Sequence, residues 1–100
     1  MKHFLYILYS SKNNKFYVGE TSDYVKRMYQ HNNSDTNSYT SKYRPWELVA
    51  LYQTNDKSYI KKCERFIKRQ KSKLFIQKLI KAEVLNGVLA QLVRVPNIRD

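Results

Sequence analysis

The chain is short of several things, and each shortage excludes something. Its 100 residues include one cysteine, Cys63, so no internal disulfide can form and nothing argues against a reducing compartment. No long uncharged apolar run occurs, which excludes a membrane-spanning helix. The opening MKHFLYILYS has one lysine, a short apolar stretch broken by tyrosines, and no small-residue cleavage site. It reads as a strand rather than a leader, and a cytoplasmic location is expected. There is no internal repeat and no long linker. Acidic residues are also few: eight Asp and Glu against nineteen Lys and Arg leave a net charge of +11. That balance suits a polyanionic partner, because each phosphate neutralised by a cation releases condensed counterions. A solvated basic surface, or attraction to an acidic membrane face, would also explain it.

What remains is enough for one fold. An apolar fraction of 42% and an aromatic fraction of 14% are ordinary for a globular domain of this length, with a single modest core. HFLYILY (3–9) and KFYVGE (15–20) are short, aromatic and β-branched. The turn formers from Ser10 to Asn14 lie between them, and together they predict a hairpin. Ser22 or Asp23 can cap a helix over 23–32 with Val25, Met28 and Tyr29 inward. Residues 33–44 are polar and predict a loop. WELVALYQ (46–53) reads as a third strand, and Asn55 or Asp56 caps a helix over 56–70. A last helix is expected over 73–85, ending near Gly87. The predicted order is β-β-α-β-α-α, an α+β domain with a small three-stranded antiparallel sheet flanked by three helices. It should occupy residues 1–85. Residues 86–100 are left as a tail of unspecified structure. Their string LAQLVRVP looks like conceptual translation through a transfer-RNA gene, which suggests a read-through extension; a docked terminal segment is the alternative.

Two tyrosines in the hairpin invite a chemical reading. With an even loop, Ser11 to Asn14, paired positions place Tyr6 opposite Gly19 and Leu8 opposite Tyr17 on one sheet face. The phenols become diagonal neighbours, and Gly19 leaves space beside Tyr6 for a ligand backbone. Either tyrosine alone would usually just pack. On the first helix Arg27 and His31 stand at i and i+4, so they share a face. An arginine can clamp a phosphate and a histidine can move a proton near neutral pH, although such a pair is more often ordinary surface.

The segment from Lys57 to Lys81 holds ten Lys or Arg and one acid, Glu64. Glu64 shares a helical stripe with Ile60, Cys63 and Ile67, so it lies on or beside the inward face. A carboxylate there needs a cation. A salt bridge to Lys or Arg is the plain solution, and a divalent metal is the functional one, since Mg²⁺ often takes one protein carboxylate plus waters and phosphate.

Phe4-Leu5-Tyr6, ten residues, Tyr17-Val18-Gly19, then Lys26-Arg27 and His31 resemble the two-strand-and-helix core of the GIY-YIG endonuclease superfamily. The Ser/Thr/Tyr-rich loop, RPWELV and a glutamate-bearing helix continue the likeness through about residue 82. This is the pattern of the small stand-alone bacterial branch related to the nuclease domain of the excinuclease C subunit. The resemblance implies a metal-dependent DNA endonuclease of low sequence specificity. Tyr6, Tyr17, Arg27, His31 and Glu64 would form its catalytic site, Gly19 would be structural there, and Glu64 would hold Mg²⁺ or Mn²⁺. Tyr17 or Tyr6 would bind or deprotonate the attacking water. Lys26, Lys42, Arg44, Lys61, Lys68 and Lys71 are the expected DNA contacts, with Tyr39 and Tyr43 as stacking planes. DNA, branched or damaged forms included, is the expected partner in a repair setting, with a second protein to deliver it; no membrane is involved. Two departures stand out. Excinuclease-like domains carry a lysine after the YIG glycine, where this chain has Glu20, leaving His31 and Lys26 to supply positive charge. The late asparagine of several relatives has no clear match. A non-catalytic nucleic-acid-binding module on the same fold, and a basic protein-interaction scaffold, are the rival classes.

Overall fold

The computed structural model of the protein describes residues 2–33 and 38–96. Strands β1 (His3–Ser10) and β2 (Lys15–Thr21) form the hairpin, followed by α1 (Tyr24–Asn33) and the short α2 (Ser38–Lys42). Then come β3 (Glu47–Thr54), α3 (Lys57–Gln70), α4 (Lys73–Ile80), a 3-10 turn (Gly87–Leu89) and β4 (Val93–Arg94). The sheet is antiparallel, in the order β2-β1-β3-β4. It has four strands rather than the expected three. The fourth is two residues long, too short to leave an alternating pattern in the sequence. Among the described residues no helix is long and apolar enough to cross a membrane.

Alternation along the strands builds two cores. Leu5, Ile7, Val18, Ala50 and Tyr52 face α3, which contributes Ile60, Cys63 and Ile67, and α4, which contributes Leu79. Tyr6, Leu8, Trp46 and Leu51 face the other way, and Tyr24 and Met28 of α1 pack against them. The inward face of α1 is therefore Tyr24, Met28 and His31. The expected Val25 and Tyr29 point outward, 66% and 68% exposed. Positions 24, 28 and 31 follow the helical period as well as 25, 28 and 29 do, and the aromatic sheet face selects between them.

The caps follow local chemistry. Asp23 Oδ1 accepts from the Lys26 amide at 3.1 Å, Asp56 Oδ1 from Tyr59 at 3.1 Å, and Ser72 Oγ from Phe75 at 3.0 Å. The last helix stops at Ile80, before the expected residue 85. Ala82, with φ 59°, adopts the left-handed conformation usually reserved for glycine. Its N–H donates to the Leu79 carbonyl at 2.8 Å and that of Glu83 to Lys78 at 2.9 Å, the two bonds of a Schellman ending. Gly87 instead opens the 3-10 turn.

Residues 86–96 pack against the sheet and helices. Leu89 and Leu92 are buried in the first core. Arg94 Nη1 donates to the Ile80 carbonyl at 2.5 Å, and Tyr52 Oη donates to that of Leu79. Arg94 satisfies a carbonyl that the end of α4 would leave open and places positive charge at its negative pole, while Tyr52 adds a second bond to the carbonyl that Ala82 already engages. Residues 97–100 lie outside the described part.

Candidate active site

The hairpin register is Tyr6 opposite Gly19 and Leu8 opposite Tyr17, which puts both phenols on one face with ring centroids 6.3 Å apart. The space over Gly19 is not left for a ligand. Tyr6 fills it: a Cβ at Gly19 would stand 2.5 Å from Tyr6 Cζ. The glycine is thus required by the phenol itself, and the sequence reading of that gap is corrected.

Helix α1 brings its polar edge to these rings. His31 Nε2 lies 2.8 Å from Tyr6 Oη, and the imidazole centroid is 4.8 Å from that of Tyr17. Arg27, one turn earlier, stands close enough to the Tyr6 hydroxyl to oppose the rise in its pKa. The direction of the Tyr6–His31 bond follows the imidazole tautomer. Burial, with the charges of Arg27 and Arg44, lowers the His31 pKa from 6.5 to about 4. At neutral pH the ring is uncharged. Burial likewise pushes the Tyr6 phenol well above its ordinary value, Tyr17 adds to the rise, and Arg27 only partly offsets it. Tyr6 is therefore a neutral phenol held in place.

His31 is fixed from behind by contacts that no sequence signal announced. Arg44 Nε donates to the His31 carbonyl at 2.7 Å. The Asn32 side chain bonds both ways with the Trp46 backbone, accepting at 2.7 Å and donating at 3.0 Å. Trp46 in turn donates its indole proton to the Thr40 carbonyl and presents its ring 6.1 Å from Tyr17. Arg44, expected at DNA, is thus tied into the scaffold.

Glu64 approaches from α3. Its carboxylate is close enough to Tyr6 to add to the rise in the phenol's pKa. Lys68, one turn on, lies 3.0 Å from Glu64 Oε2 and 5.9 Å from the Tyr17 ring centroid. The sequence offered Glu64 a salt bridge to Lys or Arg, and Lys68 is that partner; its contact with Tyr17 had no sequence signal. Tyr6, Tyr17, Arg27, His31 and Glu64 therefore meet at one site, with Lys68 added. Among the described residues no group of three or more His, Cys, Asp or Glu could hold a metal ion. The chain offers one hard carboxylate, 20% exposed, which fits a cation that keeps its waters and takes substrate phosphate.

The other expected contacts divide. Lys26 and Arg27 border a polar pocket of about 350 Å³ with Thr21, Asp23 and Gln30. Lys42 and Lys15 lie 5.4 and 5.6 Å from the Tyr43 ring. Lys71 is exposed in the left-handed cap of α3. Lys61 pairs instead with Glu20 at 3.6 Å, and Glu20 also bonds His3. Burial raises the Glu20 pKa, but the bond and charge of His3 and the charge of Lys61 outweigh it, and the net shift is downward. The side chain of Tyr39 lies outside the described residues.

This arrangement of hairpin, helix and lone carboxylate has a counterpart in sequence. Residues 2–79 match the GIY-YIG catalytic domain, and the chain belongs to that family of nuclease domains. A function of the nuclease type, phosphodiester chemistry on a nucleic acid, follows from that membership, and nucleases of this family generally depend on a divalent metal. Within it the chain is similar to small stand-alone proteins. The UPF0213 protein YazA of Bacillus subtilis (strain 168) is 33% identical over 98 residues, covering 95% of this chain and 93% of that relative. The UPF0213 protein of Lactococcus lactis subsp. cremoris (strain SK11) is 32% identical over 94 residues, covering 89% and 95%. A solution NMR structure of a UPF0213 protein from Bacillus halodurans superposes with a TM-score of 0.53 at 28% identity, covering 83% of this chain and 86% of that one.

Proposed function

We propose that the protein is a divalent-metal-dependent DNA endonuclease that hydrolyses phosphodiester bonds by in-line attack of water, with low sequence specificity. The observation that carries this reading is the convergence of Tyr6, Tyr17, Arg27, His31 and Glu64 at one place. Glu64 would hold Mg²⁺ or Mn²⁺. A cation bound there supplies Lewis-acid charge at the leaving 3′-oxygen.

The chain's own groups divide the remaining work. Arg27 neutralises the non-bridging phosphate oxygens, where a planar guanidinium matches the geometry. Tyr6, locked by His31 and kept neutral by burial, orients rather than deprotonates. Tyr17 is less buried and contacts the attacking water. It needs positive charge nearby to act as a base, because a free phenol titrates near pH ~10. His31 is neutral and cannot supply that charge; Lys68 stands beside the ring. No element has the form of a base-reading helix, so the cations position the backbone without selecting sequence.

The Glu64–Lys68 ion pair favours a second reading, a binding module in which the carboxylate only closes a salt bridge. Purified protein and supercoiled plasmid, with Mg²⁺ or chelator, separate the two. Metal-dependent nicking by the wild type, lost in Glu64→Gln with fold and DNA binding intact, supports the endonuclease. Full metal-dependent cutting by that variant would refute the metal assignment. Wild-type binding without cutting, under any divalent metal, would leave the module as the better reading.

A further inference from the structure

A second pocket, of about 390 Å³, opens beside Tyr17 between α3, α4 and β2, which is an edge strand of the sheet among the described residues. Its walls are apolar: Phe16 from the strand, Ile67 from α3 and Ile76 from α4. Lys68 and Lys71, both exposed, border it. An apolar recess flanked by cations, on a chain of net charge +11, suits a ligand with a flat apolar body and negative charge on either side. A nucleotide within a DNA strand has that form: a base for the walls and phosphates for the lysines.

We propose that this pocket receives an unpaired base of the DNA strand that lies at the Tyr17 site. The inference rests on the nuclease reading of that site. Tyr17 links the two places, since its ring stands against His31 and Tyr6 while the residue borders the pocket. A strand crossing the site therefore carries a neighbouring base to the pocket mouth. The volume lies toward the small end of the roughly 300–1,000 Å³ typical of small-ligand sites, which suits one base. A paired base cannot enter without leaving its stack, and that cost is least at a bulge, mismatch or single-stranded junction. The substrate class is thus DNA with an unpaired nucleotide next to the cleaved bond.

Oligonucleotides of equal length carrying 2-aminopurine test this in chelator, where nothing is cut. One is a perfect duplex, one has the probe as a single-base bulge, and one is single-stranded. The wild type should bind the bulged form about tenfold more tightly than the duplex and quench its fluorescence, as stacking on an aromatic wall predicts. Ile76→Trp fills the pocket and Phe16→Leu removes its aromatic plane. In both, the preference and the quenching should fall away while duplex affinity stays within about twofold, since the phosphate contacts are unchanged. Equal wild-type affinity for bulge and duplex would overturn the inference, as would a preference surviving in both variants. If the wild type nicks DNA with metal but shows no preference, the pocket inference fails and the nuclease reading stands. If it prefers the bulge through this pocket but never cuts, the nuclease reading fails and the pocket stands as a binding site.

Discussion

Replacing Gly19 by alanine adds one methyl group, and the sign of its effect depends on where that group lands. In an open strand the change would stabilise by about 0.5–1 kcal/mol, because glycine loses more backbone freedom on folding. Here the new Cβ would lie 2.5 Å from Tyr6 Cζ and 3.0 Å from Cε2. The ring cannot swing aside freely: it is 2% exposed, stands against Tyr17, and is tied to His31 at 2.8 Å. Overpacking of this kind costs about 1–3 kcal/mol. Breaking the Tyr6–His31 bond leaves a buried polar group unsatisfied, for about 1–3 kcal/mol more. The sum, roughly 2–6 kcal/mol, exceeds the strand gain and is a large share of the 5–15 kcal/mol typical of a domain. Less the strand gain, the net cost is at least about 1 kcal/mol, so at about 4–8 °C per kcal/mol for a domain of this size Gly19→Ala should melt at least ~4 °C lower. Tyr6→Leu removes the far end of the ring, so Gly19→Ala should cost under about 0.5 kcal/mol in that background. Urea and thermal unfolding of the four proteins measure the cycle. An alanine variant that melts with the wild type, or a cost unchanged by Tyr6→Leu, would refute the close-packed account of Gly19.

Three further outcomes are expected. His31 stays neutral in the folded chain down to about pH 4, whereas the unfolded ring protonates near 6.5. The unfolded state therefore binds more protons in that window, and stability falls as pH drops through it, by at most roughly 3 kcal/mol. His31→Gln should flatten the slope between pH 6.5 and 4 in urea melts; an unchanged slope would show that His31 is not held neutral. Leu89→Ala should cost about 2–5 kcal/mol, and an unmoved urea midpoint would mean that residues 86–96 add nothing to the core. Arg27→Ala should lower nicking by roughly 10- to 100-fold, the value of a charge-assisted contact, and weaken DNA binding by less; retained nicking would remove Arg27 from the phosphate.

What could be read from the sequence was local or periodic. An even turn set the hairpin register, i,i+4 spacing set the Arg27–His31 edge of α1, and the apolar stripe of α3 placed Glu64 beside its inward face. The misread features depend on contacts between distant segments. Tyr24 rather than Val25 turned inward because Phe4, on the first strand, offered it a ring at 5.1 Å. Helix α4 ended early because Ala82 took a conformation that glycine would have advertised, and because Arg94 and Tyr52 were available to bond its last carbonyls. The packing of Leu89 and Leu92 had no sequence signal, because they reach the core from a 3-10 turn and an irregular segment, neither of which has a hydrophobic period.

Glu20 shows how such contacts can alter the chemistry of a motif. Excinuclease-like domains place a lysine here, and a carboxylate beside the phenols would oppose a tyrosine base. Glu20 does not stand beside them. Strand alternation turns it to the opposite face from Tyr17 and Gly19, where His3 and Lys61 bind it. The cation near Tyr17 comes instead from α3, through Lys68. At neutral pH the groups around the phenols are then Arg27 and Lys68, each positive, Glu64, negative, and His31, uncharged. Arg44, bonded to the His31 carbonyl, adds a further positive charge, so the site is net positive and suits a phosphodiester. Glu64→Gln removes the one negative charge among these groups, so the variant that loses metal-dependent cleavage should hold its DNA at least as tightly as the wild type.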